Sequence, residues 1–176
     1  IVEWLDSIAN QTVIPDEVVI VDGGSQDNTV KIINDYAETS KLKIKLIVQP
    51  CAVAEGRNIA IKSSSYEIIA ITDAGTELDK KWLENLMIPF EIDSKTEVVS
   101  GWYKAKIKNM FDRAMADYTL VNNVIDLCVK QFLPSSRSIA VKKIYMEMIN
   151  YYPEWCTLSG EDTQMDLKLK KCCKYW

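Results

Sequence analysis

Apolar runs that stop on small or acidic residues recur along this chain. The stretch "VVIVDGGSQDNT", residues 18–29, breaks off on Asp22, two glycines and a serine, the mark of a buried parallel strand whose carboxyl end opens into a loop. After the strand 17–22, a helix is expected from about Asn28, on which Val30, Ile33, Tyr36 and Ala37 share a face. "KIKLIVQ" reads as the second strand. Beyond the loop "PCAVA", a short helix carries "EGRNIAIKS", and the third strand, "EIIAIT", ends on Asp73. The next helix is expected to start at Asp79 as its N-cap and to turn Trp82, Leu83, Leu86, Met87 and Phe90 inward, with "TEVVSG" as the fourth strand. This alternation predicts right-handed βαβ units on a mainly parallel central sheet.

The rhythm then changes. Residues 102–133 contain no Gly or Pro, and apolar residues at 111, 114, 118, 121, 125, 128 and 132 predict one long amphipathic helix. "SIAVKK" reads as a further strand, and "GEDTQMDLKLKKCCK" as a helix with Met165, Leu169, Cys172 and Cys173 inside. At the other end, "IVEWLDSIANQ" places Ile1, Trp4, Leu5 and Ile8 on one helical face before any strand. An α/β sheet ordinarily begins with a strand, so a strand and its loop are expected ahead of Ile1.

With 176 residues, 48% of them hydrophobic, one domain with its own core is expected. A net charge of −4 with evenly mixed signs supplies no basic stripe, and nucleic acid is not an expected partner. The cysteines Cys51, Cys128, Cys156, Cys172 and Cys173 form an odd set without a C-x-x-C pair, which argues against a disulfide framework or a zinc knuckle and fits a reducing compartment. No window approaches the roughly 20 apolar residues that span a bilayer, and no signal-like segment opens the sequence. The chain has no histidine. Acid–base work near neutral pH would therefore fall to a carboxylate, Lys, Tyr or Cys, and Ser-His-Asp or Cys-His hydrolysis is excluded.

Several residues are candidates for chemistry, each with a structural alternative. Asp22, followed by Gly23 and Gly24, stands where backbone can approach a ligand and a carboxylate can accept bonds from a base or sugar; otherwise Ser25 or Asp27 simply caps the next helix. No G-x-G-x-x-G accompanies it, which weakens a dinucleotide reading. Asp73 ends a second strand, so two acids share one sheet edge, and a strand-end Asp suits a hard divalent cation. Its alternative is an Asx-turn with Gly75 or Thr76. Arg57 in "EGRN" could clamp phosphate, face a base or lie solvated. Asp162 stands in "SGEDTQ", where the Ser159-x-x-Asp162 spacing is also that of a capping box. In "FLPSSRS", Ser135, Ser136 and Arg137 could meet a phosphate or sugar, or form a turn.

Taken together, "VVIVDGGSQDNT", "AEGRNIAI", "IIAITDAGTELDKKWLENL" and "SGED" resemble the family 2 glycosyltransferases over most of the chain and in the expected order. The resemblance implies a three-layer GT-A fold, Rossmann-like and nucleotide-sugar binding, as one domain over 1–176. Within it, 1–101 would hold the nucleotide-sugar half and 102–176 the acceptor side, with truncation expected at both ends. By resemblance, Asp22 and Ser25 contact the uracil or ribose, and Arg57 lies beside the nucleotide. Asp73 matches the first acid of the Asp-x-Asp metal motif, with Gly75 and Thr76 next to the donor. Asp162, in the pair Glu161-Asp162, matches the catalytic base of inverting members. The implied cofactor is Mn²⁺ or Mg²⁺. The implied partners are a nucleotide-diphosphate sugar, a UDP-sugar first, and a saccharide, lipid or protein acceptor. The expected place is the cytoplasm, or the inner face of a membrane through peripheral association.

The sequence departs from the family pattern in three places. Gly75 stands where the metal motif has its second acid, which would leave metal to Asp73, phosphate oxygens and water, with Glu77 as a helper. The first strand, with a Pro-Thr-Tyr-Asn-like loop, is not present. No Q-x-x-R-W motif of processive synthases occurs before Trp176, which favours transfer of single sugars. Alternatives are a haloacid-dehalogenase-like phosphatase suggested by "TDAGTELD", a nucleotidyltransferase, and a degenerate GT-A domain that binds nucleotide or serves structurally without turnover.

Overall fold

The computed structural model describes residues 1–119 and 135–174. Helix α1 (Val2–Ala9) precedes β1 (Val18–Asp22), and α2 (Thr29–Thr39), β2 (Ile44–Val48), α3 (Val53–Ser63), β3 (Ile68–Ile71), α4 (Trp82–Ile92) and β4 (Val98–Ser100) follow in strict alternation. Then come α5 (Met110–Thr119), β5 (Ile139–Lys142), α6 (Lys143–Met148) and α7 (Glu161–Cys172). The α/β class and the order of strands agree with the sequence pattern.

Strands β1 and β2 pair in parallel, from Val18 opposite Ile44 to Asp22 opposite Val48. Strand β5 lies between β3 and β4 and runs antiparallel to both, so the mainly parallel pairing expected does not extend to it. Antiparallel neighbours need no helical crossover of the kind that joins parallel ones. Among the described residues the five strands form two sheets, β1-β2 and β3-β5-β4.

The core follows the alternation of side chains along the strands. Ile139 and Val141 of β5 turn to one face and meet Val98, Ile71, Met146 of α6 and Met165 and Leu169 of α7. Ala140 turns to the other face, with Leu86 of α4 and Val99. A separate cluster joins Trp4, Leu5 and Ile8 of α1 to Val18 of β1 and Ile33 of α2. Each large apolar side chain fully buried in this way contributes about 1.5–3 kcal/mol.

Three helices differ from expectation. Helix α4 begins at Trp82, because Asp79 forms a turn in which its Oδ1 accepts the Lys81 N–H (2.9 Å) and its carbonyl the Trp82 N–H (2.9 Å). The segment expected to start a long helix at 102 is not helical before Met110: Tyr103 and Ala105 turn inward while Trp102, Lys104 and Lys106 face solvent, a period of two. Asn109 Oδ1 accepts the Asp112 N–H (2.9 Å), a start signal of the capping kind. The rest of that expected helix, after Thr119, lies outside the described residues. In α7, Met165 and Leu169 are buried as expected, but the inward face runs through Asp166, and Cys172 is exposed. No described helix is long and apolar enough to cross a membrane.

Candidate functional site

At the end of β1, Asp22 is buried and builds its own turn. Its Oδ1 accepts the N–H groups of Gly24 (3.0 Å) and Ser25 (2.8 Å), and its Oδ2 accepts the Ser25 hydroxyl (2.6 Å). Gly24 has φ 108°, a left-handed conformation open to glycine at little cost. The Ser25 hydroxyl and backbone hold the Asp22 carboxyl below the usual carboxylate range, against the opposing effect of burial. Asp27, one of the two capping candidates, accepts the Thr29 N–H (3.0 Å) at the start of α2.

Arg57, on α3, binds three carboxylates from two distant segments. Nη2 donates to Asp73 Oδ1 (2.8 Å), and Nη1 donates to Glu161 Oε1 (2.7 Å) and Asp162 Oδ1 (2.9 Å). Its side chain is 15% exposed and its guanidinium carbon stands 5.4 Å from the centre of the Tyr152 ring. Burial works against the charge on Arg57, but the hydrogen bond to Asp73 and the charges of Asp162 and Asp73 outweigh it and raise its pKa. A single guanidinium facing three carboxylates leaves the cluster formally anionic.

Asp162 enters this cluster from the first turn of α7. Gly160 is the N-cap residue with φ 95°, and no side chain caps the helix, so the Ser159 capping box is not formed. Acids in a first turn suit the positive end of the helix dipole. Ser136 Oγ donates to Asp162 Oδ1 (2.5 Å), while Ser135 Oγ and the Ser136 N–H reach Oδ2 at 3.3 Å each. The hydroxyls of Ser136 and Tyr152 lie 2.7 Å apart. Since the Ser136 proton points to Asp162, Tyr152 donates to Ser136. Tyr152 is buried, and burial pushes its pKa up.

Tyr152 is delivered by an unusual loop. Helix α6 ends with the Tyr151 N–H on the Met146 carbonyl (2.8 Å) and the Asn150 N–H on the Glu147 carbonyl (3.0 Å), with Asn150 at φ 56°, a Schellman-type stop. Asn58, beside Arg57, then clamps the loop: its Oδ1 accepts the Tyr152 N–H, and its Nδ2 donates to the Tyr152 carbonyl and to Glu154, each at 2.9 Å.

Beyond β3, the Thr76 N–H (3.0 Å) and hydroxyl (2.7 Å) both donate to the Asp73 carbonyl. Gly75 is exposed with open space where a side chain would stand. Glu77, considered as a helper for metal, is instead paired with Lys106. Among the described residues, no three metal-ligating side chains assemble, and Asp73 Oδ2 has no protein hydrogen bond. A single strand-end carboxylate in an anionic cluster fits a divalent cation that arrives with phosphate oxygens and water.

Asp73, Arg57, Glu161 and Asp162 thus meet directly, whereas Asp22 and Ser25 form a separate turn. Both strand ends border one cleft of about 510 Å³, whose lining includes Gly23, Arg57, Thr72 and Asp73. Of the "SSR" triplet, both serines hold Asp162, while Arg137 is exposed and stands 5.3 Å from the Tyr103 ring centre. Tyr152 and Asn58 carry no sequence signal of their own, since their roles arise from contacts across 94 residues of chain.

Residues 1–147 match the family described as glycosyl transferase family 2. The chain belongs to that family. Among its relatives, the poly-beta-1,6-N-acetyl-D-glucosamine synthase of Staphylococcus epidermidis is 28% identical over 99 residues, 56% of this chain and 24% of that protein. The chondroitin synthase of Escherichia coli is 25% identical over 131 residues, 70% of this chain and 18% of that protein. This family 2 chain therefore spans about a quarter or less of the length of these curated relatives. Among solved structures, S. aureus TarS 1-349 superposes with a TM-score of 0.72 at 20% identity, covering 95% of this chain and 50% of that one. The mannosyltransferase PcManGT from Pyrobaculum calidifontis, in complex with GDP-Man and Mn²⁺, gives a TM-score of 0.67 at 26% identity, with 92% and 45% covered. Both are GT-A glycosyltransferases, and the fold of this chain is of that kind.

Proposed function

We propose that this chain is the donor-binding and catalytic core of an inverting glycosyltransferase that moves a sugar from a nucleotide-diphosphate sugar, a UDP-sugar, to an acceptor hydroxyl. The observation that carries this is the convergence on Arg57 of Asp73 from a strand end and Glu161-Asp162 from a helix start. Family membership supports it, as do neighbours bound to UDP and to GDP-Man with Mn²⁺. The polysaccharide synthases among its relatives support a saccharide acceptor.

Asp162 is the base. Arg57 and Ser136 hold its Oδ1, so Oδ2, with only long contacts to Ser135 and Ser136, takes the acceptor proton. As the acceptor oxygen attacks the anomeric carbon from the opposite face, the bond to the nucleoside diphosphate breaks and the electron pair leaves with the phosphate. Asp73 would hold a divalent cation together with the donor's phosphates, and such a cation, when bound, would supply positive charge for the leaving diphosphate. Arg57 supplies positive charge at the same edge. Asp22 and Ser25 offer a rigid polar turn to the base or ribose.

A UDP-release assay with a set of UDP-sugars tests this. Asp162→Asn is expected to lower turnover by about 10²–10⁴-fold with UDP affinity unchanged; equal loss of both would make Asp162 a structural residue. Gly75 favours a second reading, a nucleotide-binding domain without turnover, which predicts UDP binding and no UDP release in any variant.

A further inference from the structure

The turn that holds Asp162 also carries a cation. The Ser138 N–H donates to the Ser135 carbonyl (3.0 Å) and closes a four-residue turn. Ser135, Ser136 and Ser138 are buried, whereas Arg137 among them is exposed. Ser138 Oγ accepts the Trp82 indole N–H (2.9 Å), and Ser136 is held by Tyr152 and Asp162, so the backbone under Arg137 is anchored on both sides. The side chain is steadied as well. Its Nη1 donates to Ser135 Oγ (3.3 Å), and its guanidinium carbon stands 5.3 Å from the centre of the Tyr103 ring. The exposed Trp102 stacks on Tyr103, with ring centres 6.1 Å apart and 23° between planes. Arg57 has three carboxylate partners and Arg113 has Asp117, but Arg137 has none among the described residues. An arginine presents five N–H donors in a rigid fork, and Ser135 takes only one of the side-chain donors of Arg137.

We propose that Arg137 is the anion-binding residue of the acceptor subsite, so that the acceptor saccharide carries a carboxylate or phosphate close to the hydroxyl that is glycosylated. This rests on the glycosyl transfer proposed above. Position argues for it first. Ser135 Oγ accepts from Arg137 and donates to Asp162 Oδ2 (3.3 Å), the oxygen assigned to the acceptor proton. The guanidinium therefore lies two hydrogen bonds from the atom that meets the acceptor hydroxyl, and a charged group on the same sugar or the next one can reach it. Charge argues for it next. Arg57 offsets only one of the three negative charges around it, and the donor brings a diphosphate to the same edge. A neutral acceptor needs no further cation there, whereas an anionic one is repelled unless a positive group receives it. Arg137 does not serve the cluster directly, since it donates to Ser135 and not to Asp162. A guanidinium held in one orientation by a buried turn and an aromatic face takes carboxylate or phosphate oxygens in pairs, with less side-chain freedom left to lose on binding. The exposed indole of Trp102 offers the sugar ring an apolar face beside it.

Calorimetric titration of the chain tests this with two probes, a glucuronate-containing tetrasaccharide and a glycerol phosphate tetramer. Each is compared with its methyl esters, which keep the shape and lose the charge. The expected result is that one acidic probe or both bind about five- to tenfold more tightly than the esters, and the probe that does so tells carboxylate from phosphate. That preference disappears in Arg137→Gln, whereas Arg137→Lys keeps part of it, having the charge without the fork. Equal binding of acid and ester, no binding of either acidic probe at millimolar concentration, or a preference that survives Arg137→Gln would overturn the proposal. So would an Arg137→Gln loss shared equally by acid and ester, which marks a structural residue, or a matching loss of UDP affinity, which assigns Arg137 to the donor's diphosphate. UDP titrated alongside separates this proposal from the one it rests on. An anion preference that depends on Arg137, with no UDP binding, would uphold the anion site and sink the transfer reading; UDP binding with no anion preference would do the reverse.

Discussion

Arg57 Nη1 lies 2.9 Å from Asp162 Oδ1 across 105 residues of sequence, and Nη2 of the same fork lies 2.8 Å from Asp73. One side chain therefore ties the third strand end to the start of the last helix. Arg57→Met leaves three carboxylates without their cation. Removing one partner of a buried pair costs about 3–5 kcal/mol; with Asp73 37% exposed, solvent screening lowers the expectation to about 2–4 kcal/mol. Urea unfolding measures it. The double variant Arg57→Met/Asp162→Asn should lose less than the sum of the single changes, and strict additivity would show that the pair is not coupled.

Tyr152→Phe keeps the buried ring and its contact with Arg57 but removes the hydroxyl that donates to Ser136. A stability loss of about 1 kcal/mol is expected. If Ser136 orients the base, kcat for UDP release falls while KM for the donor stays. A change in KM alone would assign Tyr152 to donor binding instead.

Asn58→Ala strips the Tyr152 N–H and carbonyl of their partners inside the protein. Each buried group left unsatisfied costs about 1–3 kcal/mol, so thermal unfolding should show one of the larger losses for a single substitution. A loss below about 0.5 kcal/mol, typical of surface changes, would mean that the clamp is replaced by water.

Asp22 makes stability sensitive to acid. Its pKa is lowered on folding from the ordinary 3.8, chiefly by the Ser25 hydroxyl and N–H. The stability it contributes is present above the unfolded value and is lost as pH falls through the folded one. Asp22→Asn should flatten the stability–pH curve below about pH 4, and unchanged steepness there would place the acid sensitivity elsewhere.

Much of this was legible from the chain. The strand end at Asp22, the loop that carries Asp73 two residues beyond β3, the helix at Arg57 and the "GED" turn follow from apolar runs that break on particular residues, which is local information. The join between them is not local: nothing in "EGRN" says that its arginine meets three acids, or that its asparagine clamps Tyr152. The start expected at Trp102 is displaced to Met110 because absence of Gly and Pro permits a helix without requiring one, and alternation through Tyr103 and Ala105 favours extended chain. Gly160 at φ 95° likewise replaced the Ser159 cap that spacing alone suggested.

Calorimetric titration with UDP, with and without Mn²⁺, on the chain and on Asp73→Ala, bears most directly on glycosyl transfer at this edge of the sheet. Binding that needs Mn²⁺ and disappears in Asp73→Ala is the predicted result. Binding of equal strength with or without Mn²⁺ and in both proteins would contradict it.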